Sequence, residues 1–182
     1  GRGGRSVRVA GIGYRDVSEL VLGTTGLGRS TAGASELVDR FDRSTPFSEA
    51  FLGMHGVGVG DLNGDGLEDL YVARRAGEAN ALLLRTRTGS WVDAPGGHGA
   101  DLLDGTSGVL IVDLDGDGAR DLALGVADEV LVLWNDGQAR FPDHTRLRAD
   151  GGANVNSILA HDFDADGDLD LVDTRYFRGD RN

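Results

Sequence analysis

The sequence predicts an all-β protein built from blades of a β-propeller, about two complete four-stranded blades with parts of two more. Three observations carry this. A nine-residue acidic loop occurs three times, at Asp61–Asp69, Asp113–Asp121 and Asp162–Asp170. Each loop is entered by one short apolar run and left by another, as expected for two strands joined by a tight connection. The loops begin 52 and 49 residues apart, and an aromatic in a polar segment recurs at Phe41, Trp91 and Phe141, 50 and 50 apart. A repeat of that length with short strands is the signature of a propeller blade or a similar array.

Within a unit the elements follow a fixed order. The runs entering the loops are Val57–Gly60, Val109–Val112 and Ser157–Ala160, and those leaving them are Leu70–Ala73, Leu122–Leu124 and Leu169–Val172. A hairpin follows in the first two units. Ala81–Leu84 returns to Trp91–Val92 across Thr88-Gly89, and Val130–Trp134 returns to Phe141 across Asn135-Asp136-Gly137. Gly flanked by a polar residue between apolar runs marks such a turn. Four strands per unit make one small antiparallel sheet. Residues 38–45 read as the last strand of an earlier unit, because Phe41-Asp42-Arg43-Ser44-Thr45 parallels Phe141-Pro142-Asp143-His144-Thr145. The third unit stops after its second strand near Thr174. A closed ring needs about four blades or more, so the expectation is a piece of a longer propeller, or closure by pairing with another copy. The chain therefore divides into residues 1–37, a segment of unassigned role with strand candidates at Val7–Ala10 and Leu20–Leu22 and a helical turn at Ala34–Val38, and residues 38–182, the repeats.

The loops carry the chemistry. Asp61, Asn63, Asp65 and Asp69 place side-chain oxygens at the first, third, fifth and ninth positions, with Gly66 at the sixth. Asp113, Asp115, Asp117 and Asp121 do the same around Gly118, and Asp162, Asp164, Asp166 and Asp170 around Gly167. Several oxygens from one tight loop, with a glycine that lets the backbone turn, are what a hard divalent cation needs. The seventh residue, Leu67, Ala119 or Asp168, would add a backbone carbonyl. An EF-hand shares the first positions but requires Glu at the twelfth and flanking helices; here the twelfth residue is Val72, Leu124 or Asp173, inside strand-like runs. About three structural Ca²⁺ ions are expected. The first site should be the weakest, since Asn63 removes one negative charge.

Composition agrees. Acidic residues number 30 against 18 basic ones, for a net charge of −12. Eleven of the acids occupy the loop positions named above. The excess is thus largely local to the loops, which argues against a nucleic-acid partner. Every basic residue is Arg, and Cys is absent. A lysine Schiff base, a thiolate metal site, a disulfide and a cysteine nucleophile are all excluded. No apolar run is long enough to span a membrane, and Gly1–Arg5 lacks the apolar region of a signal peptide.

These residues resemble the FG-GAP/VCBS repeats of integrin-alpha-like β-propellers, whose blades carry a D-x-[DN]-x-[DN]-G-x-x-D calcium loop between their first two strands. The resemblance covers roughly residues 38–174. It is carried by Gly58-Val59-Gly60-Asp61 with Asp69-Leu70-Tyr71-Val72, by Ser157–Asp162 with Asp170–Val172, and by the hairpin Trp134–Phe141. It implies calcium held by side chains at positions one, three, five and nine and by the carbonyl at seven. One-loop oxygen sites in extracellular modules typically bind calcium at about 10⁻⁴–10⁻³ M, so the expected location is extracellular, periplasmic or on the cell surface.

The expected function is a non-catalytic scaffold for protein or glycan binding and adhesion. Two alternatives stand beside it. One is the propeller portion of a polysaccharide-active, lyase-like enzyme, against which the missing Lys and unclustered His weigh. The other is a sugar-binding lectin, which requires Phe41, Trp91 and Phe141 to be exposed. His55, His98, His144 and His161 read as surface or loop residues, and Trp91 and Trp134 as core residues in equivalent blade regions. Gly11–Gly13 and Gly23–Gly28 lack the strand–helix setting of a nucleotide loop. The Arg178-Gly179-Asp180 triplet is expected by chance in so Arg-, Gly- and Asp-rich a chain.

Overall fold

The computed structural model describes residues 56–74, 77–148 and 154–175, together with the backbone of two short strands nearer the start. Those two are β1 (Ser6–Val9) and β2 (Ile12–Arg15), an antiparallel pair. The readings made for Leu20–Leu22, Ala34–Val38, residues 38–45, Phe41, His55 and Arg178–Asp180 lie outside the described residues.

All the described regular structure is β. The first blade is β3 (Val57–Gly60), β4 (Asp69–Val72), β5 (Ala81–Arg85) and β6 (Trp91–Asp93), hydrogen-bonded in that order. The second blade repeats the order with β7 (Thr106–Val112), β8 (Asp121–Val126), β9 (Glu129–Trp134) and β10 (Asp143–Arg148). β11 (Val155–His161) and β12 (Asp170–Arg175) pair as the first half of a third. Every pairing is antiparallel. The first strands line up across the array, β3 against β7 and β7 against β11, which is how the inner strands of successive propeller blades meet.

Side chains alternate across each sheet because strand periodicity is two, and the second blade uses both faces. Leu122, Leu124, Leu131 and Leu133 join Leu62, Tyr71, Leu82, Ala100 and Phe141 in a core shared with the first blade. Ala123, Val130 and Val132 point the other way, onto Val155, Ile158 and Leu171 of the third. A blade covered on both sides needs the near-continuous apolar runs that β8 and β9 show. The outermost strand, β10, is exposed throughout. Its Arg146 and Arg148 clasp Glu129 of β9, and such charges blunt a sheet edge.

Blade-to-blade approach is close at β3. A Cβ on Gly58 would lie 2.6 Å from Val109 Cγ1 and 2.8 Å from Ile111 Cγ1. Both neighbours are β-branched and have little rotamer freedom to yield. Overpacking of this kind costs about 1–3 kcal/mol, so Gly58→Val should lower the unfolding free energy by an amount in that range, read as a lower urea midpoint with the m-value unchanged. The opposite side of β3 is open. Val57 and Val59 are 57% and 56% exposed. At the other end of the array Leu159 and Val172 are 56% and 45% exposed.

Two aromatic expectations need correction. Trp91 opens β6, a fourth strand, whereas Trp134 closes β9, a third strand, so they are not equivalent. Trp91 is buried beneath the Arg85 guanidinium, 5.7 Å from the ring centroid. Trp134 is only partly buried, and its Nε1 donates to Thr145 Oγ1 at 3.0 Å. The counterpart of Trp91 is Phe141, which lies just before β10 and is buried, its amide donating to the His98 carbonyl at 2.8 Å.

Candidate metal centre

Each acidic loop is the connection between the first and second strand of a blade. The pairs Gly60↔Asp69, Val112↔Asp121 and His161↔Asp170 close the three loops. The ninth residue is therefore the first residue of the second strand, and the other acidic positions lie in the irregular connection.

Inside the loop the carboxylates fold the backbone around themselves. In the second loop, Asp113 Oδ1 accepts from the Gly116 amide at 2.8 Å and Oδ2 from Gly118 at 3.0 Å. Asp115 accepts from the amide of Asp117, and Asp117 from that of Ala119. The first loop repeats the pattern: Asp61 accepts from Gly64, Asp65 and Gly66, Asn63 Oδ1 from Asp65, and Asp65 from Leu67. In the third, Asp162 accepts from Asp166 and Gly167, Asp164 from Asp166, and Asp166 from Asp168. Asn63 thus aims its amide oxygen where the other loops aim a carboxylate oxygen. The glycines at the sixth position, Gly66, Gly118 and Gly167, hold φ of +83°, +92° and +101°, a region open to Gly at little cost.

The result is a convergence of like charge. One oxygen each from Asp113, Asp115 and Asp117 lies within 4.8 Å of the others, and the same holds for Asp162, Asp164 and Asp166. Two oxygens bound to one calcium at 2.3–2.6 Å stand at most about 5 Å apart, so the spacing suits that ion. Among the described residues no ion pair ends on these six carboxylates.

The ninth position plays a different part from the first, third and fifth. Asp69 and Asp121 are fully buried. Asp69 Oδ2 accepts from the Leu62 amide at 3.0 Å and Oδ1 from the Arg85 amide at 2.9 Å. Asp121 does likewise with Leu114 at 3.0 Å and Asn135 at 2.9 Å. Each carboxylate therefore ties the second residue of its own loop to the end of the blade's third strand. Asp170 is exposed and keeps the first of these bonds, to the Phe163 amide at 3.0 Å. Burial pushes the Asp69 and Asp121 carboxyls above the ordinary range, and the neighbouring loop carboxylates push the same way, while the two amide donors oppose.

Several polar residues that pattern reading passed over organise the surroundings. Asn80 donates to Tyr71 Oη at 3.0 Å and to Thr106 Oγ1 at 2.8 Å, and Tyr71 donates to the Ala100 carbonyl at 2.7 Å. This buried network joins the first blade to β7. His98, expected at the surface or in a loop, lies in a loop but is buried, and its Nδ1 accepts from the Ala100 amide at 3.1 Å. His144 and His161 are exposed, as expected, with His161 edge-on to Phe163 at 5.2 Å.

Burial holds His98 below the usual imidazole value, with Asp101 opposing. The unfolded chain then takes up a proton near pH 6.5 that the folded His98 refuses. The stability contributed is present above that pH and is lost as pH falls toward the depressed folded value. His98→Asn keeps an acceptor for the Ala100 amide and removes the titration. The drop in melting temperature between pH 7.5 and 5.5 should be smaller in this variant than in the parent.

Four-stranded sheets in series, each bearing an acidic loop between its first two strands, define a class of blade repeat. The FG-GAP-like repeat pattern matches residues 61–124 and again 113–172, more than half of the 182-residue chain. The chain belongs to the FG-GAP-like repeat family. Each match runs from one acidic loop through the second strand of the following blade, so the matched unit spans a blade boundary. No curated protein matches the chain. Among the described residues no helix is long and apolar enough to cross a membrane.

Proposed function

We propose that this protein is a calcium-stabilised scaffold, non-catalytic in itself, that presents its blade faces and loops to a protein or glycan ligand outside the cytosol. The observation that carries the proposal is the convergence of three carboxylate oxygens within 4.8 Å in each of two successive loops, in a chain that the FG-GAP-like repeat matches twice. In this reading calcium is held in the first loop by Asp61, Asn63, Asp65, the Leu67 carbonyl and Asp69. The second loop uses Asp113, Asp115, Asp117, the Ala119 carbonyl and Asp121, and the third Asp162, Asp164, Asp166, the Asp168 carbonyl and Asp170. The ninth residue contributes lone pairs that its amide donors, two at Asp69 and Asp121 and one at Asp170, leave free. The ion supplies positive charge that cancels the loop's own repulsion and fixes the connection between two strands. Weak one-loop sites fill where calcium is millimolar, which favours an extracellular, periplasmic or cell-surface setting.

The open outer faces at Val57 and Val59 and at Leu159 and Val172 support docking of a further blade, including one from another copy of the chain. The lectin reading loses its aromatic landmark, because Trp91 and Phe141 are both buried. A screen against immobilised glycans and extracellular proteins, in calcium and in chelator, tests the function. Calcium-dependent capture supports the scaffold. Unsaturated sugar products released from a polysaccharide would favour the lyase-like alternative instead.

A further inference from the structure

We infer that Asn135 couples the first two acidic loops, so that calcium bound in one raises the affinity of the other. The inference rests on the calcium reading above and concerns how those sites communicate.

Asn135 follows directly after β9 in the second blade, yet its side chain reaches the first. Nδ2 donates to the Leu62 carbonyl at 2.8 Å and to the Arg120 carbonyl at 2.8 Å. Leu62 is the second residue of loop one, and Arg120 the eighth of loop two. Oδ1 accepts from the Gly137 amide at 3.1 Å, and the backbone N–H of Asn135 donates to Asp121 Oδ1. Both amide protons and the carbonyl are used, in a residue 6% exposed. The Ala139 amide adds a second bond to the Leu62 carbonyl at 2.8 Å.

A continuous chain of bonds results. Asp69 of loop one holds the Leu62 amide, the Leu62 carbonyl is held by Asn135, the Asn135 amide is held by Asp121, and Asp121 holds the Leu114 amide of loop two. The residues at its core, Asp69, Leu62, Asn135 and Asp121, are all buried. An ion in loop two fixes Asp121, which fixes Asn135 and its two donors, which presets Leu62 between the first two ligands of loop one. The second ion then meets a loop whose ordering cost is already partly met, which is positive coupling. By linkage the effect runs equally in reverse. In the first blade the corresponding donor to the ninth residue is Arg85, whose side chain instead lies over Trp91.

The test is a double-mutant cycle in a chain whose third loop is silenced by Asp162→Ala and Asp164→Ala. Nitrogen–proton correlation NMR during a calcium titration reads loop one through the Gly66 amide and loop two through Gly118. Asp115→Ala weakens loop two while leaving both Asp121 bonds in place. It should weaken calcium binding at loop one about fivefold or more, the low end of typical coupling. With Asn135→Leu, and separately with Asn135→Asp, the same Asp115→Ala change should alter loop one less than about twofold, the residue expected when a coupling energy is removed. Agreement between the neutral and the charged variant assigns the effect to the lost donors. Loop-one affinity indifferent to Asp115→Ala, or coupling that survives both Asn135 variants, overturns the inference with the calcium reading intact. No shift of either glycine amide in the reference chain overturns both.

Discussion

Removing calcium should lower the thermal unfolding midpoint by roughly 8–16 °C. The estimate follows from linkage. At ten times its dissociation constant each site adds about 1.4 kcal/mol to the folded state, and three sites add about 4. For a domain of this size each kcal/mol moves the midpoint by a few degrees. The cause is visible in the loops, where one oxygen each from Asp113, Asp115 and Asp117, and from their counterparts in loop three, lies within 4.8 Å of the others. Circular dichroism melts in 10 mM calcium and in chelator measure the effect, and magnesium should substitute poorly because it demands a tighter octahedral shell.

Asp121→Ala should destabilise the fold by about 2–4 kcal/mol even in chelator, whereas Asp115→Ala should cost less than about 0.5 kcal/mol there. The two residues belong to one acidic motif and look alike in sequence. Asp121 is buried and satisfies the Leu114 and Asn135 amides, so truncation orphans one partly buried and one buried donor at about 1–3 kcal/mol each, partly offset by removing a desolvated charge. Asp115 is exposed and accepts one exposed amide. In calcium both variants lose the ion's contribution, so Asp115→Ala becomes costly only then. Urea unfolding of both proteins with and without calcium gives the four numbers. Equal losses in chelator would mean the ninth position is merely another ligand.

The strands were legible because their period of two is set by backbone geometry and their boundaries by the loops themselves. Val57–Gly60 is recovered residue for residue as β3, and Ala81–Leu84 becomes β5 with one residue added. The return strand of the second hairpin begins two residues later than the sequence predicts. Phe141 reads as its return strand, but β10 begins at Asp143, because the ring is drawn into the core between the blades. The position of each acidic residue in its loop was legible for the same local reason. What Asp69 and Asp121 do besides was not, since their second donors, Arg85 and Asn135, lie at the ends of third strands, 16 and 14 residues away. Asn135 read as one residue of an Asn-Asp-Gly turn, and its bond to Leu62 spans 73 residues. His98 read as a loop histidine, which it is, but the loop is packed under Phe141. Local pattern reports spacing and period; it does not report which neighbour a turn is pressed against.

The central claim is that the acidic loops bind calcium, and counting the ions is its most direct test. Equilibrium dialysis against 5 mM calcium, followed by atomic emission, should find close to three ions per chain, the weakest of them lost first on dilution and assigned to the loop containing Asn63. Less than one ion per chain at that concentration would contradict the account.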